Sequence, residues 1–312
     1  MFFKNKRVLV AGGTGLISTP LVKQLLERGA WVRIASLDDP SRAHPDAEFI
    51  RTDLTDYQNC LTVCNDINYA FNLLCVKRPL ETARVFPVDS FEPMLIFNTL
   101  LLKAAWAQNT DGYLYTSSVG VYQPAEVLEE DAVWKTLPSK EDWFPGWAKR
   151  IGELHLEAYK QQYNWNTAIV RPSNVYGPHD SFEQGGSMFM AYIIRQFAEN
   201  KSPIIINGDG SQIRDFIYSE DAARGIILAA EKSTEPVNLC SGRETTIKEV
   251  VHILIDNTNY KGKVIFDASK PSGDKRRVPD VSKLKILGFE PKISLEEGVI
   301  RTFDWYTKNK SG

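Results

Sequence analysis

The run VLVAGGTGLIS at residues 8–18 constrains the fold of this chain more than any other stretch. Aliphatic residues suited to a buried strand end at Gly12, and Gly15 follows just before a helix-forming segment. Glycines at such a corner permit a tight turn and close backbone approach, while free N–H groups at the helix start receive a pyrophosphate. The spacing is GxxGxxS, so Ser18 stands where a third glycine usually lets the helix pack on the strand, serine being the next smallest choice.

Short β-rich runs then alternate with amphipathic segments, the pattern of a parallel sheet covered on both faces. Strands are expected at Arg7–Ala11, Val32–Ala35, Ala47–Arg51, Tyr69–Leu74, Tyr113–Ser117 and Thr167–Arg171, with helices near 16–28, 57–65, 90–107 and 146–163. This is a Rossmann-type, doubly wound α/β arrangement. Beyond residue 172 the run YGPHDSFEQGG, a strand candidate at Pro203–Ile206 and the polar stretch DASKPSGDKRR break the alternation. The expected organisation is therefore a doubly wound domain over 1–172, with a return segment near 213–232, and a smaller, interleaved second lobe over 173–312.

Charge narrows the partners. With 37 basic and 39 acidic residues in 312, the formal charge of −2 gives no global field for nucleic acid or a membrane surface. An anionic ligand must be held locally. No apolar run approaches the ~20 residues of a membrane span. Cys60, Cys64, Cys75 and Cys240 form no zinc-like double pair, and Cys60 and Cys64, at i and i+4 of a helix, read as packing. No metal is expected, and a reducing cytoplasm is the expected location.

At the end of the second expected strand the sequence reads IASLDD. An acidic side chain there accepts hydrogen bonds from an adenosine ribose and repels the extra phosphate of NADP. Asp38 serves if the loop turns back, whereas Ser36 with Arg33 or Arg42 would tolerate a phosphate. NAD is the expected cofactor, with NADP possible. Downstream, RTDLTD puts Asp53 at a strand end, where its carboxylate can accept from an adenine amino group.

These segments, with YTSSVGVY, GWAKRIGE, RPSNVYGP, GDGSQIRDFIYSEDAA and SLEEGVIRTFDWY in that order, make the chain resemble an extended short-chain dehydrogenase/reductase of the NAD-dependent epimerase/dehydratase family, whose members act on nucleotide sugars. The resemblance covers nearly the whole chain. It implies a dinucleotide site drawn from Gly12, Thr14, Gly15, Leu16, Ile17, Asp38, Asp53, Leu54, Leu73, Lys77, Lys149 and Pro172. Ser118 matches the serine that binds the reacting hydroxyl or keto oxygen, and Lys149 the lysine that binds the nicotinamide ribose. Asn174, Arg214 and Arg277 match contacts to the diphosphate and sugar, with Arg276 an alternative to Arg277. A homodimer is implied too, through helices 90–107 and 146–163, whose apolar faces include Leu95, Leu101, Leu102, Leu154, His155 and Ala158.

The departures from the family pattern exclude reactions. Val119-Gly120 stands where 4,6-dehydratases carry an Asp-Glu pair, so elimination of water is not expected. Gly120 and Met188 stand where fucose synthase-like 3,5-epimerases carry cysteine and histidine, and neither residue moves a proton. Pro145 stands four residues before Lys149, where the family carries a tyrosine. The proton carrier is then open among Lys149, a water held by Ser118, Tyr122, Glu141 and Asp142. Trp143, Phe144 and Trp147 read as packing around the helix start, and His179 as ordering a turn. The expected activity is hydride transfer at C4 of a nucleotide sugar, by an oxidoreductase or C4-epimerase, with a GDP-sugar favoured by RPSNVYGPHDSF. The rival reading is a non-catalytic dinucleotide-binding redox sensor.

Overall fold

A computed structural model describes residues 1–76, 85–183, 188–270 and 273–310. Lys77 lies outside the described residues. The first half of the chain forms β1 (Arg7–Ala11), α1 (Ser18–Glu27), β2 (Trp31–Ser36), β3 (Glu48–Arg51), α2 (Tyr57–Cys64), β4 (Tyr69–Asn72), α3 (Val88–Ala107), β5 (Gly112–Thr116), α4 (Trp143–Tyr163) and β6 (Asn166–Pro172). The second half forms β7 (Asn174–Tyr176), α5 (Phe189–Ala198), β8 (Ile204–Asn207), β9 (Ile213–Arg214), β10 (Phe216–Tyr218), α6 (Ser219–Lys232), β11 (Val237–Leu239), β12 (Thr245–Thr246), α7 (Ile247–Asn257), β13 (Val264–Asp267), β14 (Arg276–Arg277), α8 (Ser282–Ile286) and α9 (Leu295–Asn309).

Seven strands form one sheet in the order β3-β2-β1-β4-β5-β6-β11. Every neighbouring pair in it is parallel. Burial on both faces explains why the inner strands read as nearly continuous apolar runs, unlike the partly exposed edge strand β3 (EFIR). Along β1, Val8 and Val10 face α1 and α6 through Leu21, Leu25 and Ile226, while Leu9 and Ala11 face α3 through Phe97 and Leu101. Cys60 and Cys64 are buried in that second layer, where burial pushes the Cys60 thiol up to about 12. The order reverses between β1 and β4, and ligands of open α/β sheets bind in the crevice beyond the strand ends at such a switch.

After β10 the chain returns to this sheet, laying α6 beside α1 and adding β11 at the edge. The remaining elements enclose a separate core of Ile193, Ile194, Phe197, Ile204, Val250, Val251 and Val299. Its strands are short: β8 pairs with β13, and β9 lies between β12 and β14. Helix α9 starts at Ser294, whose hydroxyl accepts from the Glu297 N–H at 3.2 Å, and α4 stops at Asn164 in the left-handed conformation. No helix among the described residues is long and apolar enough to cross a membrane.

Candidate active site

The glycine turn sits between β1 and α1 at the switch. Gly12 has φ +77° and donates its N–H to the Ala35 carbonyl at 2.8 Å. Gly13, which sequence reasoning passed over, is required by packing, because a Cβ there would lie 2.7 Å from the Ile34 side chain. Ser18 does more than stay small: its hydroxyl donates to the Gly12 carbonyl at 2.5 Å and accepts the Gly15 N–H at 2.9 Å. That bond occupies the Gly15 donor and leaves the N–H groups of Leu16 and Ile17, at the helix entrance, to face an anion.

Beside the turn, the loop after β2 folds back. The Thr14 hydroxyl donates to the Asp38 carboxylate, and the Ser36 hydroxyl donates to it at 3.1 Å. Arg42 lies 3.5 Å from the other Asp38 oxygen. The alternative partner Arg33 is corrected: it is buried, paired with Glu48 at 2.5 Å and bonded to the Val63 and Asn65 carbonyls, so it cannot reach this loop. Asp53 is exposed and uses one oxygen to cap the turn through Thr55, with Leu54 buried behind it. Leu73 continues β4, bonding to Ala11 at 3.0 Å and facing Gly12.

Lys149 lies on α4 across the ends of β4 and β5. Its ammonium donates to the Leu74 carbonyl at 3.2 Å and the Thr116 carbonyl at 2.8 Å, 5.1 Å above the Tyr115 ring. Burial lowers its pKa below the ordinary lysine value of 10.5. Ser118 lies two residues past the end of β5, its hydroxyl accepting the Gly120 N–H at 3.0 Å. Pro145 is the third residue of α4, where the missing N–H has no intrahelical partner to lose. The helix start is tight: a Cβ on Gly146 would lie 2.5 Å from the Gly120 carbonyl. Of the carriers left open by the sequence, Tyr122 is set aside, because its buried hydroxyl donates to Asn238 at 2.6 Å, accepts from Arg171 at 2.9 Å and has its pKa raised by burial. Trp143 and Trp147 make an edge contact, and Phe144 meets Phe91.

Two polar networks hold this region, and the sequence reading missed both. Glu153, one turn beyond Lys149, receives Arg171 at 2.9 and 2.7 Å as well as the Ser117 hydroxyl, with all three buried. Asp215, fully buried, accepts from Ser173, Ser241, Gly242 and Arg243. Glu153 lies inside GWAKRIGE, four residues beyond Lys149, and Asp215 inside GDGSQIRDFIYSEDAA, next to Arg214.

Asp215 also orients Asn174, whose amide donates to the Asp215 carbonyl at 2.8 Å. Arg214 and Arg277 are register partners on β9 and β14. Burial, then the nearby Arg277 charge, lowers the Arg214 pKa to about 10. Arg277 binds Asp274 at 2.5 Å and Asp142 at 2.9 Å. Arg276 pairs instead with Glu244, at 2.6 and 2.5 Å. Arg276 and Arg277 both line a narrow crevice here, with Val119, Tyr122, Leu128 and Asp274. Pro172 ends β6 opposite Leu239. His179 adopts φ +65° and packs its ring 5.0 Å from Trp305.

A glycine turn at the switch of a parallel sheet, with a lysine bridging two strand ends beside it, defines a Rossmann-type α/β protein. Residues 8–240 match the model of the NAD dependent epimerase/dehydratase family, and the chain belongs to that family. It is 27% identical to GDP-L-fucose synthase 1 of Arabidopsis thaliana over 98% of this chain and 94% of that protein. GDP-L-fucose synthase of Escherichia coli K12 is 28% identical, covering 98% of each chain. The solved structure of a UDP-glucose 4-epimerase from Thermotoga maritima, with UDP-glucose, superposes with a TM-score of 0.87 at 25% identity, over 98% of this chain and 100% of that one.

Proposed function

We propose that this chain is an NAD-dependent oxidoreductase or C4-epimerase of a nucleotide sugar, acting by hydride transfer at C4. The observation that carries the reading is Lys149, a buried ammonium fixed on the carbonyls of Leu74 and Thr116 at the ends of β4 and β5, with Ser118 two residues beyond Thr116, at the crevice where the glycine turn lies. The residues fit the cofactor: a Cβ on Gly15 would meet only Ser18, at 3.5 Å, so the backbone is open to a pyrophosphate, and Thr14, Ser36 and Asp38 offer polar groups to a ribose. When bound, its nicotinamide accepts or returns a hydride. Ser118 would hold the sugar oxygen, Lys149 the nicotinamide ribose, and Arg214, Arg277 and Asn174 the diphosphate and sugar. This assigns the cofactor to residues 1–172 and the nucleotide sugar to the cleft they share with 173–312.

Resemblance to GDP-L-fucose synthases and the RPSNVYGPHDSF segment favour a GDP-sugar. The likeness to a UDP-glucose 4-epimerase keeps UDP-sugars in the test. Calorimetric titration with NAD, NADP, GDP and UDP is expected to give tighter binding of NAD than NADP, because Asp38 repels the extra phosphate. Tighter NADP binding would reverse that preference, and absence of both would remove the cofactor assignment.

The reading includes a cytoplasmic homodimer formed through α3 and α4. Leu101 and Leu102 do not serve that face, because both are buried in the core. Ile96, Phe144, Ile151 and Leu154 are exposed on these two helices instead. Light scattering at micromolar concentration should return twice the 35.3 kDa chain mass, and a monomer mass would rule the dimer out.

A further inference from the structure

The replacement of the tyrosine by Pro145 leaves the sugar hydroxyl without its proton partner, and the start of α4 supplies one. Asp142 is the N-cap residue, yet its side chain makes no capping bond. It turns instead across Gly120. A Cβ on Gly120 would stand 3.2 and 3.3 Å from Cβ and Cγ of Asp142 and 3.4 Å from the Ser118 hydroxyl. The bare glycine therefore leaves the space that the Asp142 side chain takes beside Ser118. Two departures from the family pattern, no acid at 120 and no tyrosine at 145, meet at this one side chain. Lys149 as an ammonium is a donor only, and the Tyr122 hydroxyl is committed to Asn238 and Arg171.

The charges around Asp142 supply the control. It faces Arg277 of β14 at 2.9 Å; Asp274 shares that arginine at 2.5 Å, and Arg214 of β9 lies beside it. Two arginines and two carboxylates balance. A diphosphate entering between the arginines brings negative charge beside Asp142 and competes for its partner.

We propose that Asp142 is the proton acceptor of this site, held on Arg277 until the diphosphate of the substrate engages that arginine and frees the carboxylate toward Ser118. The proposal rests on the nucleotide-sugar reading above. In the oxidative direction, the sugar C–H bond breaks and its hydride passes to the oxidised nicotinamide cofactor. The hydroxyl O–H bond breaks, its proton goes to the Asp142 carboxylate, and the carbonyl forms.

The test is Asp142→Asn, which keeps the shape and removes the charge. Calorimetry should give GDP or UDP binding tighter than wild type by roughly threefold to tenfold, the size of a partly exposed charge interaction. Single-turnover nicotinamide reduction by GDP- and UDP-hexoses should fall by about 10²–10⁴-fold, as expected for loss of a general base. In Asp142→Ala, added formate should restore part of that rate. A merely structural ion pair would move binding the other way. Binding no tighter than wild type, or turnover within about twofold of it, overturns the proposal while leaving the nucleotide-sugar reading intact. A wild-type protein that binds neither GDP nor UDP overturns that reading and the proposal with it.

Discussion

Lys149→Ala is expected to lose hydride transfer by about 10²–10⁴-fold or more while GDP or UDP binding through Arg214 stays close to wild type. The ammonium is 4% exposed and spends two of its three donors on the Leu74 and Thr116 carbonyls, which leaves one for a ligand in the crevice. Held so, it can align cofactor and sugar, and alignment alone is worth up to ~7–11 kcal/mol. Burial depresses its pKa, so the charged form is lost below the 10.5 of an ordinary lysine. Between the lowered value and 10.5 the folded protein binds fewer protons than the unfolded chain, and the Lys149 contribution to stability rises with pH there. Activity should fall over the same window, because it needs the cation. Denaturant unfolding of wild type and Lys149→Ala across alkaline pH checks the stability statement and single-turnover nicotinamide absorbance the activity statement, and a wild-type rate in Lys149→Ala removes this residue from the site.

The largest loss of stability is expected from Arg171→Met. Arg171 is 1% exposed and forks onto Glu153, itself 1% exposed, while its remaining nitrogen bonds the Tyr122 hydroxyl and the Glu130 carbonyl. Removing the arginine strands a buried carboxylate, which costs about 3–5 kcal/mol. The double change Arg171→Met with Glu153→Met should cost less than either expectation summed, because it removes both charges together. Denaturant unfolding of the two single variants and the double variant gives the coupling directly. A loss under about 1 kcal/mol in Arg171→Met would contradict the account. The network matters to the site because Glu153 lies one turn from Lys149, so it fixes the helix that presents the ammonium.

The parallel sheet was readable in the sequence because most of its first six strands are short, largely apolar runs ended by a turn, the edge strand β3 (EFIR) being the exception. The second lobe was less so. Strands β9, β12 and β14 are two residues long, too short for any alternation to register. Adjacent strand residues point to opposite faces, and nothing in GDKRR told Arg276 from Arg277; pairing with Glu244 on one side and Asp142 and Asp274 on the other separates them. Arg33 misled because it sits three residues before Ser36 near a polar loop, whereas the register β2 to β3 puts it opposite Glu48. Helix α4 begins at Trp143 rather than 146 because its first turn tolerates Pro145. Asp142 was visible as one acid among several near Lys149, but its reach over Gly120 is a matter of helix entry angle, which no spacing encodes.

The most direct measurement is nicotinamide absorbance after mixing the purified protein and NAD with GDP- and UDP-hexoses in single turnover. The account predicts that at least one of these sugars binds and reduces the nicotinamide, slowly, with no tyrosine at position 145. Dinucleotide binding with no nucleotide sugar bound and no absorbance change would contradict it and leave the redox-sensor reading in its place.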